Sequence, residues 1–283
     1  MSRHRWRVPA FAAGALLAGC SGHAPPPPEP QALRADLETV AHARVLFGRQ
    51  SVGRNVLAGL AQLAEDNGVA LRIQEIDGEP PDGRPGLFHA RIGVNGDPAG
   101  KIDAFVQLLE RPARPRYDAA LMELCYLDFG SEARRPVTPA ALVARYLAAV
   151  RSLAARRPDV RLVHVTAPLR AEPPGWKSRL KRLLGRETEE DADNVLRNDY
   201  NAQLVSAVAG APLFDLALVE STRPDGRTSE FRRSGRAVRT LAPEYTTDGG
   251  HLNAGGSRRA AIALVQALAR ALRESSAVDL GRI

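Results

Sequence analysis

Short apolar runs alternate with longer segments of helical periodicity along most of the chain. The run Ala119–Leu124 is apolar apart from one glutamate, which is typical of a buried strand. Pro139–Arg156 has a helical pattern, with Thr138 as its candidate N-cap and proline in its first turn. This alternation predicts an α/β fold with a mainly parallel sheet. The predicted strands are 43–47, 70–76, 119–124, 160–166 and 212–216, and the predicted helices are 52–67, 101–110, 139–156, 198–208 and 254–274.

The N-terminal residues have the pattern of a targeting signal. Residues 1–7 are basic, residues 8–18 are mostly apolar, and the segment closes on Leu-Ala-Gly-Cys20. We therefore predict a secretory signal peptide over residues 1–19, which is too short to span a bilayer as a mature helix. The closing residues resemble a bacterial lipobox, in which Cys20 becomes the lipidated first residue. The alternative is an ordinary signal peptide with an incidental cysteine.

A proline-rich stretch over residues 20–30 separates this signal from the rest of the chain. Such a stretch cannot pack and predicts a semi-rigid tether, so residues 31–283 are expected to form one domain. By the same lipobox resemblance, Ser21 after the cysteine favours an anchor in the outer membrane of the cell envelope, facing the periplasm.

Charge and cysteine content narrow the classes of protein that fit. The net charge is +7, but three arginines lie in the first seven residues, so the remainder carries 36 basic and 32 acidic residues. These bases are scattered, which argues against nucleic acid as a partner. Only Cys20 and Cys125 are present, which excludes a disulfide scaffold. Cys125 ends a predicted strand and is expected to be a core residue rather than a nucleophile.

Ser51 is the first candidate for chemistry. It lies in Phe47-Gly-Arg-Gln-Ser-Val-Gly53, where the first predicted strand gives way to the first predicted helix. Ligands bind outside the carboxyl ends of strands in open parallel sheets, and a helix N-terminus favours developing negative charge. The alternative interpretation is that Ser51 is only the N-cap of that helix.

Asp248 and His251 supply what a nucleophilic serine needs. They lie three residues apart across two glycines, immediately before the last predicted helix. A serine needs a base of near-neutral pKa, and that base needs a partner that fixes its tautomer. The strand order expected for the fold brings this last loop beside the first one. The alternative is that Asp248 and Asn253 are turn and capping residues and that His251 is a surface side chain.

Together these motifs resemble the SGNH or GDSL hydrolase superfamily. The similarity rests on Phe-Gly-Arg-Gln-Ser-Val-Gly, on Asp-Gly-Gly-His-Leu-Asn-Ala-Gly-Gly, and on 198–201 and 214–217 between them, and it covers most of residues 43–274. It implies a single flavodoxin-like three-layer α/β/α domain and a serine esterase mechanism. By resemblance, Ser51 is the nucleophile, His251 the base and Asp248 its partner, and no cofactor is implied.

The sequence departs from the family pattern at the oxyanion hole. The family combines the N–H of the serine with a glycine N–H after the second strand and an asparagine after the third. Gly96 is our choice for the glycine over Gly93, while Leu127 occupies the place of the asparagine. Either Asn95 or the hydroxyl of Tyr126 is a possible replacement donor.

These observations predict hydrolysis of ester-linked acyl groups, with an ester-bearing small molecule or an envelope or extracellular glycan as substrate. The alternative is a non-catalytic envelope lipoprotein that uses the fold to bind glycans or to assist assembly. Residues 175–186 form a basic amphipathic segment that is either a surface helix or a cap touching anionic lipid. The histidines and carboxylates show no metal-ligand spacing, and the sequence does not indicate an oligomeric state.

Overall fold

The computed structural model describes residues 28–77, 83–111, 116–172 and 188–280. Helices and strands alternate along these ranges, with a two-stranded hairpin before the last helix. The helices are α1 (Pro30–Ala41), α2 (Ser51–Asp66), α3 (Pro98–Leu109), α4 (Pro139–Arg156), α5 (Glu189–Ala207), α6 (Leu216–Ser221) and α7 (Ala254–Leu280), and the strands are β1 (Arg44–Arg49), β2 (Ile73–Glu75), β3 (Gly86–Arg91), β4 (Ala119–Met122), β5 (Arg161–Val165), β6 (Leu213–Phe214), β7 (Glu230–Arg233) and β8 (Arg236–Arg239).

Six of the strands form one sheet in the order β2-β3-β1-β4-β5-β6, and every neighbouring pair is parallel. The chain leaves β1 toward one edge of the sheet and returns to its other side at β4. This reversal creates a crevice at the carboxyl end of β1, which is where ligands bind in folds of this kind. The predicted α/β/α fold with a mainly parallel sheet is therefore confirmed.

Helices cover both faces of the sheet. On one face α1, α2 and α7 enclose a core in which Leu60, Leu63, Leu264 and Leu268 are fully buried. On the other face α3, α4 and α5 pack around side chains that include Phe105, Leu153, Tyr200 and Leu204. These two apolar layers fix the sheet from both sides, so the loops at its carboxyl edge stand on rigid elements.

The last helix lies directly on the helix that carries Ser51. A Cβ atom at Gly59 of α2 would lie 2.4 Å from the backbone oxygen of Ser257 in α7. Only glycine permits this approach, which brings the start of α7, and with it the Asp248–His251 turn, close to α2.

The predicted elements differ from the observed ones in several places. Four features were not predicted from the sequence: α1, α6, the hairpin β7–β8 and, most importantly, β3, which pairs with β1. The apolar run of β3 is short because His89 and Arg91 are polar and the preceding residues are rich in glycine and proline. Helix α5 begins at Glu189 rather than at residue 198, because Thr188 and Asp191 form a capping box and acidic residues suit a helix N-terminus. The predicted N-cap at Thr138 is confirmed by its side chain accepting Ala141 N–H.

In the part of the chain described, no helix is long and apolar enough to cross a membrane. The signal peptide, Cys20 and the basic segment 175–186 lie outside the described residues.

Candidate active site

Ser51 is the first residue of α2 and follows β1 with one residue between. The N-cap is Gln50, in an extended conformation, so the alternative in which Ser51 itself caps the helix is wrong. The Ser51 side chain is partly buried, and neither its hydroxyl nor its backbone N–H has a hydrogen-bond partner among the described residues. Ser51 therefore stands at a helix N-terminus, at the carboxyl end of β1, with its hydroxyl and its N–H free of partners among the described residues.

Glu123 caps helix α2 from the neighbouring strand. It directly follows β4, its side chain is fully buried, and its Oε2 accepts both Gln50 N–H at 2.9 Å and Gly53 N–H at 2.8 Å. A Cβ atom at Gly53 would lie 2.2 Å from this oxygen, so the glycine makes room for the carboxylate. Glu123 thus holds the backbone on both sides of Ser51.

The second oxygen of Glu123 is buried without a hydrogen-bond partner in the described residues. Burial raises the pKa of Glu123 to about 7, although the two N–H groups and Lys101 act in the opposite direction. The carboxyl group therefore titrates near neutral pH directly beneath the Ser51 turn.

Asp248 and His251 form a hydrogen-bonded pair in one turn. Asp248 Oδ2 lies 2.7 Å from His251 Nδ1, while its Oδ1 accepts the backbone N–H groups of His251 and Gly250 at 2.8 and 2.9 Å. These N–H groups, that of His251 first, and the imidazole hold the pKa of Asp248 well below its usual range. An ionised Asp248 places the imidazole proton on Nδ1, which leaves Nε2 as the basic nitrogen.

Two contacts fix this turn at the crevice. Leu252 N–H donates to Asn55 Oδ1 at 3.3 Å, and Asn55 is one helical turn after Ser51 on the same face of α2. Gly249 O accepts the N–H of Ala171, which follows β5. The base and the candidate nucleophile therefore lie at the same helix end, although no hydrogen bond joins Ser51 Oγ to His251 in the described structure. Such contacts are often loose without substrate.

Tyr126 is the immediate neighbour of His251 Nε2. Its hydroxyl lies 3.4 Å from Nε2, and the two rings meet edge to face at 5.8 Å between centroids. Burial raises the pKa of Tyr126 to about 12, so the phenol stays a proton donor at neutral pH. Arg170 lies over its ring at 5.1 Å, and Arg197 Nε donates to its backbone oxygen at 3.1 Å. Tyr126 is thus held firmly where it contacts the candidate base.

Gly96, the predicted glycine of the oxyanion hole, takes part in a buried ionic network instead of facing open space. Its N–H donates to Asp128 Oδ1 at 2.8 Å, and Asp128 also binds Cys125 N–H and the ammonium of Lys101. Lys101 and Asp128 are both fully buried and lie 2.8 Å apart. Because Asp128 occupies the Gly96 N–H, that group is not free to bind an oxyanion in this arrangement.

Asn95 belongs to the same network, because its Oδ1 accepts from Lys101 Nζ at 3.1 Å. Its amide nitrogen has no partner in the described part of the chain. Leu127, in the place of the family asparagine, lies in a 3₁₀ turn and packs partly against the core. The network holds together the two loops that follow β3 and β4.

Gly93, the less favoured glycine in the sequence analysis, fits the oxyanion role better. It is exposed, has a φ of 54°, and its N–H has no hydrogen-bond partner among the described residues. A Cβ atom there would lie 2.8 Å from Lys101 Cγ. Gln50 donates its side-chain amide to the oxygen of Ile92, which ties the segment before Gly93 to the residue before Ser51.

Other candidates have structural roles in the described residues. Cys125 is fully buried, and burial raises the pKa of its thiol to about 11, so it is a core residue as predicted. His164 is nearly buried and bonds Tyr146 Oη through Nδ1 at 2.9 Å. No group of metal-ligating side chains occurs in the described ranges.

The sequence analysis missed Glu123, Lys101 and Arg170. A charged residue inside an otherwise apolar strand run was the available signal for Glu123, because such a charge is rarely buried without a partner. Lys101 and Arg170 gave no comparable signal, since their partners lie far away in sequence.

No model of a protein family matches the chain, and no curated protein matches it. Among solved structures it is similar to an acetyl xylan esterase, with 15% identity over 80% of this chain and 99% of that chain and a TM-score of 0.48. It is also similar to a lipase/acylhydrolase from Enterococcus faecalis, with 12% identity over 80% of this chain and 95% of that chain and a TM-score of 0.46. A third similar structure is a putative platelet activating factor from Streptococcus pneumonia, with 17% identity over 85% of this chain and 92% of that chain and a TM-score of 0.46. At these values the likeness carries no argument about function, so the chemistry has to come from the residues of the site.

Proposed function

We propose that this protein is a serine ester hydrolase in which Ser51 is the nucleophile, His251 the general base and Asp248 the residue that orients it. The observation that carries the proposal is the Asp248–His251 pair, at 2.7 Å, docked on the first turn of the helix that begins at Ser51. A serine, an oriented imidazole and a carboxylate are the parts required for acyl transfer.

The reaction follows from these positions. Ser51 Oγ attacks the ester carbonyl while its proton moves to His251 Nε2, and the imidazolium is stabilised by Asp248. His251 then returns the proton to the departing alkoxide, which leaves an acyl-serine. Water attacks the acyl group, His251 takes the proton of that water, and Ser51 recovers it as the carboxylic acid leaves.

The developing oxyanion needs donors that are free. We propose the N–H groups of Ser51 and Gly93, because both lack partners in the described structure, and we replace Gly96 because Asp128 occupies its N–H. The amide of Asn95 and the hydroxyl of Tyr126 are the candidate side-chain donors for a third contact.

Ester hydrolysis by the purified protein tests this proposal. The measurement compares hydrolysis of p-nitrophenyl acetate by the native protein with that by Ser51→Ala and His251→Ala variants. Ser152→Ala, at an exposed position of α4, and His42→Ala, at the exposed residue that follows α1, are matched controls. Loss of activity in both site variants and retention in both controls is expected. Equal rates in Ser51→Ala and the native protein would refute the assignment of Ser51.

A second candidate function is a binding module that has kept the fold without catalysis. The contact of His251 Nε2 with Tyr126, in place of Ser51, favours it. Such a protein would bind its ligand without ester turnover, and neither site variant would differ from the native protein in the hydrolysis assay.

We also propose that the protein is an envelope lipoprotein anchored through Cys20 and acting on acyl groups of envelope or extracellular glycans. The lipobox-like segment and the proline-rich tether support this location. A Cys20→Ala variant is expected to leave the membrane fraction after cell lysis, and continued membrane retention would contradict the lipid anchor.

A further inference from the structure

A cavity of about 590 Å³ opens at the carboxyl ends of β2 and β3, against α3. Its volume lies within the range of about 300–1,000 Å³ that is usual for small-molecule sites. None of the roles proposed above for the triad uses this cavity.

The strand register places the cavity next to the Ser51 turn. Arg49, at the end of β1, pairs with Arg91 at the end of β3, and the Gln50 side chain then bonds the oxygen of Ile92. Ser51 lies two residues after Arg49, and Gly93 lies two residues after Arg91. Because neighbouring strands lie about 4.8 Å apart, the pairing of Arg49 with Arg91 brings the segment of Ile92 and Gly93, which lines the cavity, alongside the turn that carries Ser51.

The floor of the cavity is apolar and rigid. Ile76, Ala90, Ile92 and Leu108 contribute to it, and each is at most 8% exposed. These side chains belong to two strand ends and to α3, so the floor does not depend on a single loop. A floor of this kind suits the flat face of a ring.

The rim is polar and carries charges of both signs. Five of the lining side chains are polar: Glu75, Asp77, Arg91, Gln107 and Arg111. Because Glu75 forms an ion pair with Arg49, the rim meets a ligand with one free carboxylate, two guanidinium groups and the amide of Gln107. It offers hydrogen-bond donors and acceptors side by side, which matches hydroxyl groups because each of them both donates and accepts.

Several of these groups are free to bind a ligand. The side chains of Asp77, Arg91 and Gln107 have no hydrogen bond or ion pair within the described residues. Among the described residues, the side chain of Arg111 makes only a 3.4 Å contact with the backbone oxygen of Asp77. Glu75 is engaged, since it forms an ion pair with Arg49.

We infer that this cavity binds the polyhydroxylated alcohol part of the ester, which is a sugar unit that carries the acyl group. The inference rests on the proposed function, because it needs Ser51 to attack the ester. A pocket for a long acyl chain would be apolar throughout, whereas this one surrounds an apolar floor with paired donors and acceptors.

The test compares three esters with the full-length protein: p-nitrophenyl acetate, p-nitrophenyl octanoate and a monoacetylated methyl glucoside. The variants are Arg91→Ala, Gln107→Ala and their combination, with Arg151→Ala on the exposed face of α4 as the matched control. In the double variant, kcat/KM for the acetylated glucoside divided by that for p-nitrophenyl acetate is expected to fall about tenfold, through a higher KM, as two lost hydrogen bonds imply.

Each other outcome counts against the inference. An unchanged ratio, or no hydrolysis of the acetylated glucoside by a native protein that cleaves p-nitrophenyl acetate, overturns it. A fall in the octanoate-to-acetate ratio instead identifies an acyl pocket. Failure of the native protein to cleave any of the three esters is the distinct result that refutes the proposed function itself.

Discussion

Replacing Glu123 by glutamine should remove a pH dependence from the stability of the protein. Glutamine keeps an oxygen that accepts the N–H groups of Gln50 and Gly53, so it imitates the protonated carboxyl group without its ability to ionise. The pKa of Glu123 is raised by burial from 4.5 to about 7 in the folded protein. The folded state therefore holds the proton more tightly than the unfolded state.

The sign and size of the effect follow from this difference. The stabilisation from the bound proton is fully present below the unfolded pKa of about 4.5 and is lost as the pH rises through about 7. At 1.36 kcal/mol per pH unit, the loss amounts to about 3 kcal/mol in the free energy of unfolding. The Glu123→Gln variant lacks this loss, so its stability relative to the native protein should increase by about that amount over the same interval.

Urea denaturation followed by far-ultraviolet circular dichroism, at several pH values across this interval, measures the difference directly. Glu65→Gln, on the exposed side of the same helix, is the matched control and should follow the native protein. Parallel stability profiles for Glu123→Gln and the native protein would refute the reasoning, because they would mean that the carboxyl group does not titrate in the folded state near neutral pH.

Three further predictions concern the network and the base. Lys101→Met leaves the Asp128 carboxylate buried without its cation, so urea denaturation should show that the free energy of unfolding falls by about 3–5 kcal/mol. The control Arg145→Met breaks the exposed pair with Asp103 and should lower the free energy of unfolding by at most about 1 kcal/mol. Equal losses in the two variants would contradict the buried ion pair. Asp248→Asn should lower kcat for p-nitrophenyl acetate by about 10²–10⁴, because the imidazole loses its orienting carboxylate. Tyr126→Phe removes only a hydroxyl beside Nε2 and should lower kcat about tenfold or less, with Asn95 supplying the third oxyanion contact. A loss of about 10²–10³ would assign that contact to the Tyr126 hydroxyl instead.

The fold could be predicted because its signals are local. Apolar runs and helical periodicity follow from which faces are buried, and they located β1, β4, α2 and α4 within a few residues. The strand β3 was not predicted because its only large buried apolar side chains are Leu87 and Phe88. Pairing with β1, rather than its own composition, makes it a strand.

The Asp248–His251 pair could also be predicted, since both residues lie in one turn and the spacing is visible in the sequence. The cap of α2 could not, because Glu123 is separated from Gln50 by 73 positions in the chain. The same holds for the glycine of the oxyanion hole: the choice between Gly93 and Gly96 depends on which N–H is taken by Asp128, and that contact exists only once β4 lies beside β1.

The most direct test of the central claim is covalent labelling of the folded protein with a fluorophosphonate, with the modified residue located by peptide mass spectrometry. An activated serine reacts because a neighbouring base removes its proton. The account predicts labelling at Ser51 in the native protein and its loss in the His251→Ala variant. Absence of label on Ser51 in the native protein, or labelling that is equal in the His251→Ala variant, would contradict it.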